Sequence, residues 1–519
     1  CKKLKRTRTE DDDGLCGLEP KSKQARTDDY DGLVHEIFEQ EGLDESMDVV
    51  GDDEDEVEED GGKPKEKRDP NDNAMPNGYL GIVDPFTYGT TGYPGAMVLE
   101  AKRGFYKKTF ISVLDFASLY PSIMRAQNLC PSTIKSIKEF VDTWPIDPNS
   151  DYISINGYLF HRPKGGEEDG VGVFVLVLAM LMNERGKAKK KRDTFEEGTQ
   201  EWKNFEQLQM QFKVASNSMY GMLGNVNSPL SGIFIAEAVT MEGKRSLLKC
   251  VELIDKLELV HEKGFGMLHV PPVENHMMVD LSEILHYQPE VIYGDTDSVF
   301  INWKNEDATR EQILKISEKL EEVINDYLGF INPMSMEAEA IFKPALLDAQ
   351  KKYAMLDVTK EGKYKPKIKG MAMVRRNYFP FLVTLMESIF DYIFVQGNTN
   401  LTDIAKFVYY GLSRLFYEKN LDKEEFMMTV NLSRPITEYK NPKNEKSVAL
   451  VKMLERAGIH SQVGDRIPYL YRDVNYKAVV DQVYPYEIFE KRGMALGRRI
   501  YFSKCVEPLK SFLQNIVGK

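Results

Sequence analysis

Apolar positions along the chain recur with two different periods. Short apolar runs of strand length alternate with long stretches in which apolar residues return every three or four positions. Phe110–Leu114 reads as a buried strand with Asp115 at its C-terminal end, and SLYPSIM after it turns into a helix with Pro121 in the first turn. Residues 134–165, rich in Pro, Gly, Asp and Asn, predict an irregular or antiparallel segment. Two long helical stretches follow, 173–197 and 200–220, and the short polar joint between them predicts a helical hairpin. A further helix is expected over 236–257. VIYGDTDSVF (Val291–Phe300) then predicts a β-hairpin with Gly294–Asp297 at its tip. Helical periodicity returns near 309–328, 386–396, 402–417 and 446–457, between short strands and basic loops, and no internal repeat is found. Helices mixed with antiparallel hairpins indicate an α+β fold.

Charge changes the picture in one region. The chain has 519 residues and a net charge of −13, yet residues 1–75 hold 25 acidic and 12 basic side chains, and 56 of each fill the remainder. The body is electrically balanced, which leaves room for a locally basic cleft. The first 77 residues, including GDDEDEVEED (Gly51–Asp60), have little to bury and read as a disordered charged tail. Ordered structure is expected from near Gly78. KKLKRTR (Lys2–Arg8), with Lys21, Lys23 and Arg26, resembles a nuclear-import signal. A chain that opens on Cys1 is expected to be a fragment, or its tail an insert within a longer protein. Five scattered cysteines without a CxxC pair argue against a zinc cluster or disulfide framework, and fit a reducing compartment. No apolar run approaches the ~20 residues of a membrane span, and no signal peptide is read.

The chemistry centres on Asp295 and Asp297. Burying an ionised carboxylate without a partner is costly, and a lone DxD is most often a surface hairpin tip. Asp115 also lies where a strand ends, so the carboxylates converge if the two segments are neighbours in one sheet. Converging carboxylates repel unless a divalent metal is present, and hard oxygen ligands suit Mg²⁺ or Mn²⁺. The helical hairpin presents Arg185 and Lys189 one turn apart, and Lys213, Asn217 and Tyr220 at helical spacing on its second arm. Such cations beside a two-metal site are what a triphosphate requires, while Tyr220 followed by Gly221 offers a plane for a base pair.

Three motifs in this order, DFASLYPSI (Asp115–Ile123), KVASNSMYG (Lys213–Gly221) and YGDTDS (Tyr293–Ser298), resemble the polymerase half of family B (delta-like) DNA polymerases. YPGAMVLEAKRGFY (Tyr93–Tyr106), QKKYA (Gln350–Ala354), KGMAMVRR (Lys369–Arg376) and GDRIPYL (Gly464–Leu470) extend the resemblance over most of the chain. The style is most similar to polymerases of large DNA viruses, herpesvirus-like ones included.

The resemblance implies a right-hand fold: palm at 78–165 and 230–385, fingers at 166–229, and a mostly helical thumb at 386–519. It implies that Asp115 and Asp297 hold both of two Mg²⁺ ions (Mn²⁺ as a substitute) with the Phe116 carbonyl, and that Asp295 is secondary. Ser118, Leu119, Arg185, Lys189, Lys213 and Asn217 would cradle the dNTP, with Thr296 beside them and Lys213 counted among the catalytic groups. Tyr120 would exclude a 2′-hydroxyl, and Tyr220 and Gly221 would line the nascent pair. Lys351, Tyr353, Lys369, Arg375, Arg376, Tyr439, Lys440, Lys443 and Arg466 would follow primer-template DNA. A processivity factor is a further candidate partner, and replication in a host nucleus, or otherwise at a cytosolic replication site, the expected setting.

Nothing in residues 1–92 resembles the family's exonuclease domain, so proofreading by this chain alone is not expected. The alternative reading is an inactive polymerase-like DNA-binding scaffold. It would be expected to lose a metal ligand or Lys213, and neither is lost. Another two-metal enzyme such as a nuclease leaves KVASNSMYG unexplained, and YGDTDS differs from the Tyr-x-Asp-Asp turn of reverse transcriptases.

Removal of residues 1–75 tests the charge argument. Nucleotide addition should persist, and DNA binding should tighten at low salt and return to the parent value as salt screens the tail. A large loss of activity would count against the expectation.

Overall fold

The computed structural model describes Tyr93, residues 95–134, 151–155, 158–162, 170–258, 281–328, 332–358, 363–474 and 479–517. The tail at 1–77 and the expected onset of order near Gly78 lie outside the described residues. Two compact units divide the chain between Arg376 and Asn377.

The larger unit is built on strand β2 (Phe110–Phe116), FISVLDF, whose middle residues are buried on both faces. It is central in an antiparallel sheet of order β5-β6-β2-β7, with β5 Pro289–Asp295, β6 Ser298–Trp303 and β7 Met336–Phe342. Strand alternation sends the residues of β2 into two separate cores. Leu114 and Phe116 face a helical layer, together with Val299, Ile301 and Trp303 of β6. That layer contains α1 (Leu119–Ala126), α4 (Ile233–Asp255) and α6 (Arg310–Leu328). Ile111 and Val113 face the other way, onto Leu347, Tyr353 and Met355 of a second antiparallel sheet. Its order is β1-β8-β9-β10, with β1 Gly104–Tyr106, β8 Ala345–Ala349, β9 Lys352–Val358 and β10 Tyr364–Lys369. The buried polar pair at the helical face is satisfied, since the Trp303 indole donates to Ser112 Oγ at 2.8 Å.

The expected helical hairpin is α2 (Val173–Arg192) and α3 (Gln200–Gly224). Thr199 caps α3 by accepting from the Trp202 N–H, and Gly198 with φ +93° makes the turn before it. Arg192 to Glu206 (2.8 Å) and the stacked rings of Phe195 and Phe205 tie the two arms together near the joint. α2 ends five residues earlier than its periodicity predicts, and α3 runs four residues further. Within 134–165, strands β3 (Tyr152–Ile155) and β4 (Tyr158–His161) pair antiparallel. The short helix α5 (Leu281–His286) precedes β5.

In the Asn377–Val517 unit, helices α7 (Pro380–Phe390), α8 (Leu401–Tyr417), α9 (Lys446–Arg456), α10 (Tyr486–Lys491) and α11 (Arg498–Val517) accompany a small antiparallel sheet. Its order is β11 (Met428–Asn431), β12 (Arg466–Tyr471), β13 (Val483–Pro485). Phe379, Phe426, Tyr501 and Phe512 are buried there. Arg498 donates to the Leu415 and Glu418 carbonyls, both at 2.9 Å, and so satisfies the C-terminal end of α8. The compact unit begins at Asn377, ahead of α7, while the palm–thumb boundary expected from sequence falls at 385/386 within that helix. Among the described residues, no helix is long and apolar enough to cross a membrane, and Cys130, Cys250 and Cys505 are free and buried.

Candidate active site

The site begins with strand register. β2 pairs with β6 so that Asp115 stands opposite Ser298, and β5 pairs with β6 so that Asp295 stands opposite the same residue. The hairpin tip is therefore only Thr296 and Asp297, while Gly294 belongs to β5, a narrower turn than the tetrapeptide expected from sequence. Thr296 takes the left-handed conformation (φ 65°) and its N–H donates to the Met97 carbonyl at 2.9 Å. The Phe116 N–H donates to the Asp297 carbonyl, also at 2.9 Å, which fastens the tip to the end of β2.

Asp115 and Asp297 line one cleft of about 750 Å³ together with Phe116, Ser118, Leu119, Tyr120, Arg185, Lys189, Lys213, Asn217, Tyr220 and Thr296. The two arms of the helical hairpin thus meet the sheet edge at the carboxylates. Arg185 Nη1 donates to Ser118 Oγ at 2.9 Å, and its Nε to the buried Gln209 at 3.3 Å. Ser118 precedes α1 with φ 50°. The Tyr120 and Tyr220 rings lie 4.3 Å apart between centroids, and the Tyr220 hydroxyl shares a 2.8 Å hydrogen bond with that of Tyr93.

Electrostatics separates the three aspartates. Burial, then the charges of Asp297 and Glu339, push the Asp115 carboxyl up to about 7, against smaller opposing effects of Lys367 and Lys213. Asp297 is also raised, first by burial and then by Asp295. Asp295 is different. Burial would raise it, but Lys369 Nζ donates to it at 2.7 Å and Lys351 lies 3.6 Å away, and together they hold it below the usual carboxylate range. Asp295 is 5% exposed and does not line the cleft. Burial lifts the Tyr120 hydroxyl to about 12, so it stays protonated.

Two like carboxylates, raised by burial and mutual repulsion, form a donor set that a hard divalent cation would relieve. Among the described residues no group of three or more His, Cys, Asp or Glu gathers into a closed metal cage. Two carboxylates with a backbone carbonyl suit instead an ion that keeps several ligand positions for water and phosphate oxygens.

Not every predicted residue converges on the cleft. Gly221 is exposed beside Tyr220 and is not among the lining residues. Tyr353, expected to contact DNA, is 5% exposed, with its ring 5.4 Å from that of Phe300 in the core between the sheets. Apolar packing on β9 claims that ring. Lys351 and Lys369 are held at Asp295. Arg375 and Arg376 close the larger unit, half-buried and exposed respectively. Tyr439, Lys440, Lys443 and Arg466 belong to the Asn377–Val517 unit, where the Tyr439 hydroxyl accepts from the Ser433 N–H at 3.1 Å and the other three are exposed.

Sequence reasoning missed Glu337 and Glu339, which line the cleft from β7 with Glu337 opposite Asp115. Their period-two spacing in MEAEAIF was visible, but their neighbour in the sheet was not. Tyr93 was read as part of a motif and not as the partner of Tyr220.

Residues 43–516 match the family model for DNA polymerase family B, and the chain belongs to that family. The DNA polymerase delta catalytic subunit of Schizosaccharomyces pombe is 28% identical over 451 residues, covering 82% of this chain and 36% of that protein. The DNA polymerase of Paramecium bursaria Chlorella virus NY2A is 30% identical over 394 residues (73% of this chain, 38% of that protein). The catalytic subunit of varicella-zoster virus (strain Dumas) is 30% identical over 403 residues (73% and 32%). The chain spans about a third of the length of these curated relatives. Cellular and viral relatives stand at similar identity. In fold, the chain is similar to the family B DNA polymerase of Pyrobaculum calidifontis, with a TM-score of 0.51 and 23% identity over 82% of this chain and 47% of that one.

The raised Asp115 carboxyl has a measurable consequence for the metal-free protein. Its folded value, about 7, exceeds its unfolded one, so its contribution to stability is full below the ordinary carboxylate range and is lost as pH rises through about 7. Asp115→Asn cannot ionise and escapes that loss. In chelator, its thermal midpoint should exceed that of the parent at about pH 8, and the two should converge toward about pH 4. A lower midpoint for the variant at the higher pH would contradict the electrostatic reading.

Proposed function

We propose that the chain is a DNA-directed DNA polymerase that adds dNTPs to a primer 3′ end by two-metal phosphoryl transfer. The observation that supports this best is the meeting of Asp115 and Asp297 with Arg185, Lys189, Lys213, Asn217, Tyr120 and Tyr220 around one cleft. Family B DNA polymerases generally use divalent metals. Mg²⁺ is the proposed ion, with Mn²⁺ as a substitute, and Asp115, Asp297 and the Phe116 carbonyl would hold it. Bound there, the metal supplies charge neutralisation of the triphosphate and a lowered pKa for the primer hydroxyl.

In the reaction the primer 3′-hydroxyl gives up its proton to solvent as its oxygen forms a bond to the dNTP α-phosphorus, and the bond from that phosphorus to the oxygen bridging it to the β-phosphate breaks, so that pyrophosphate leaves. Arg185, Lys189 and Lys213 bind the phosphates and neutralise the charge that collects on departing pyrophosphate. Asn217 and the backbone at Ser118 and Leu119 orient the triphosphate. Tyr120, supported by Tyr220, forms the floor beneath the sugar and excludes a 2′-hydroxyl. Lys351 and Lys369, with Arg375, Arg376 and the basic residues of the thumb, would follow backbone phosphates without reading sequence, leaving nucleotide choice to the template base. Palm, fingers and thumb are the proposed assignments of the sheet-bearing core, the α2–α3 hairpin and the Asn377–Val517 unit. Large-virus genome replication, in a nucleus or a cytosolic replication site, is the proposed setting, and a processivity factor a proposed partner.

Primer extension with Mg²⁺ tests the assignment. Asp115→Asn or Asp297→Asn should each lower nucleotide addition by about a thousandfold or more while primer-template Kd stays within about threefold. Parent-like extension by either variant would refute the metal-ligand roles.

Tyr120→Ala tests the sugar floor separately. Discrimination between dNTP and rNTP, taken from single-turnover kcat/KM ratios, should fall by about tenfold or more. An unchanged ratio would remove Tyr120 from that role.

A further inference from the structure

Helix α2 starts without a cap of its own. Its N-cap is Gly172, which has no side chain to accept from the first N–H groups of the helix. The acceptors come from residues just beyond the end of α1. Asn128 Oδ1 accepts from the Gly172 N–H at 2.9 Å, Ser132 Oγ from the Val173 N–H at 3.3 Å, and Cys130 Sγ from the Phe174 N–H at 3.4 Å. Asn128 Nδ2 donates to two further segments, the Gly170 carbonyl at 2.9 Å and the His161 carbonyl of β4 at 2.8 Å. Its own carbonyl accepts from Thr133 Oγ1 at 2.6 Å. The residue is 0% exposed.

Its backbone explains why asparagine suits the position. Asn128 follows the C-cap Gln127 with φ 53°, and the Leu129 N–H returns to the Met124 carbonyl at 2.9 Å, which closes α1 with a left-handed turn. Asparagine tolerates that conformation better than most residues and brings an amide that donates and accepts at once. The approach is close: a Cβ on Gly172 would lie 2.4 Å from Cys130 Cβ.

The two helices joined here both carry residues that line the cleft. α1 begins beside Ser118, Leu119 and Tyr120, and the second half of α2 carries Arg185 and Lys189. Thirteen residues separate Gly172 from Arg185, about 20 Å of helix, so a tilt of about 10° at the start moves the guanidinium by about 3 Å. That is enough to break its bond to Ser118.

We propose that Asn128 is a positioning residue for the nucleotide site: with Cys130 and Ser132 it seats the N-terminus of α2 and so sets where Arg185 and Lys189 meet the triphosphate. The inference rests on the reading of the cleft as a nucleotide site.

Asn128→Ala tests it with two independent readouts. Amide hydrogen exchange at residues 172–174 should accelerate by about tenfold or more, which reports the seat whatever the chemistry of the chain. In steady-state extension the dNTP KM should rise by about fivefold or more, with kcat and primer-template Kd within about twofold. In a background carrying both Arg185→Ala and Lys189→Ala the further loss in kcat/KM should shrink to less than half of its fold-change, because both misplaced groups are already gone. Losses that simply multiply, or an unchanged dNTP KM in a folded variant whose 172–174 amides have opened, would overturn the proposal. If Asn128→Ala does not fold, Ser132→Ala at an exposed position gives the same test on a smaller scale: faster exchange at Val173 and a dNTP KM raised about twofold. No change in either would overturn the seat. A parent chain that adds no nucleotide would defeat the functional reading instead, and the exchange result would stand by itself.

Discussion

Repulsion between Asp115 and Asp297 is the constraint on which the rest of the site depends. Antiparallel pairing of β2 with β6 brings the two carboxylates to the same end of one sheet, and burial denies them the water that would screen them. Among the described residues neither is ion-paired. Asp295, two residues from Asp297, has the opposite fate, because Lys369 and Lys351 reach it from the second sheet. One aspartate of the DTD is neutralised inside the fold, and the other lines the cleft without an ion-pair partner among the described residues.

The layered architecture creates both conditions. Because β2 is covered on one face by α1, α4 and α6 and on the other by β8 and β9, its end lies in a low-dielectric setting. Gly243 of α4 lets that helix approach α1 closely, since an added Cβ would lie 3.2 Å from Leu119 Cδ2. The α2–α3 hairpin then supplies the cations. They stand on two helices rather than on the sheet and line the same cleft as the carboxylates, and among the described residues they form no direct ion pair with them.

A cation delivered by a helix is only as well placed as the root of that helix. Along α2 only Val175, Leu178 and Ala188 are fully buried; Phe174, Val177 and Leu181 pack half-buried against the core, while Val173 and Met180 are largely exposed. The side chains that cap its first turn therefore weigh more in its placement than they would for a helix sunk in the core. The buried Asn128 links the end of α1 to the end of β4 and the start of α2, 33 and 44 residues further along the chain.

Much of this was legible in the sequence because it rests on short-range periodicity. The hairpin around YGDTDS, the α2–α3 pair with its cations one turn apart, and the placement of Asp115 near a strand end follow from neighbours in the chain. The family followed from motifs of the same local kind. Only the tertiary structure decided which side chains outside those motifs share their space. Register placed Glu337 opposite Asp115, the second sheet carried Lys369 to Asp295, packing between the sheets drew Tyr353 into the core, and the Asn377 boundary left α7 whole. These outcomes depend on strand partners and on the reach of long side chains across elements. Local pattern carries no record of either, because side-chain period fixes the face a residue occupies but not what lies opposite it.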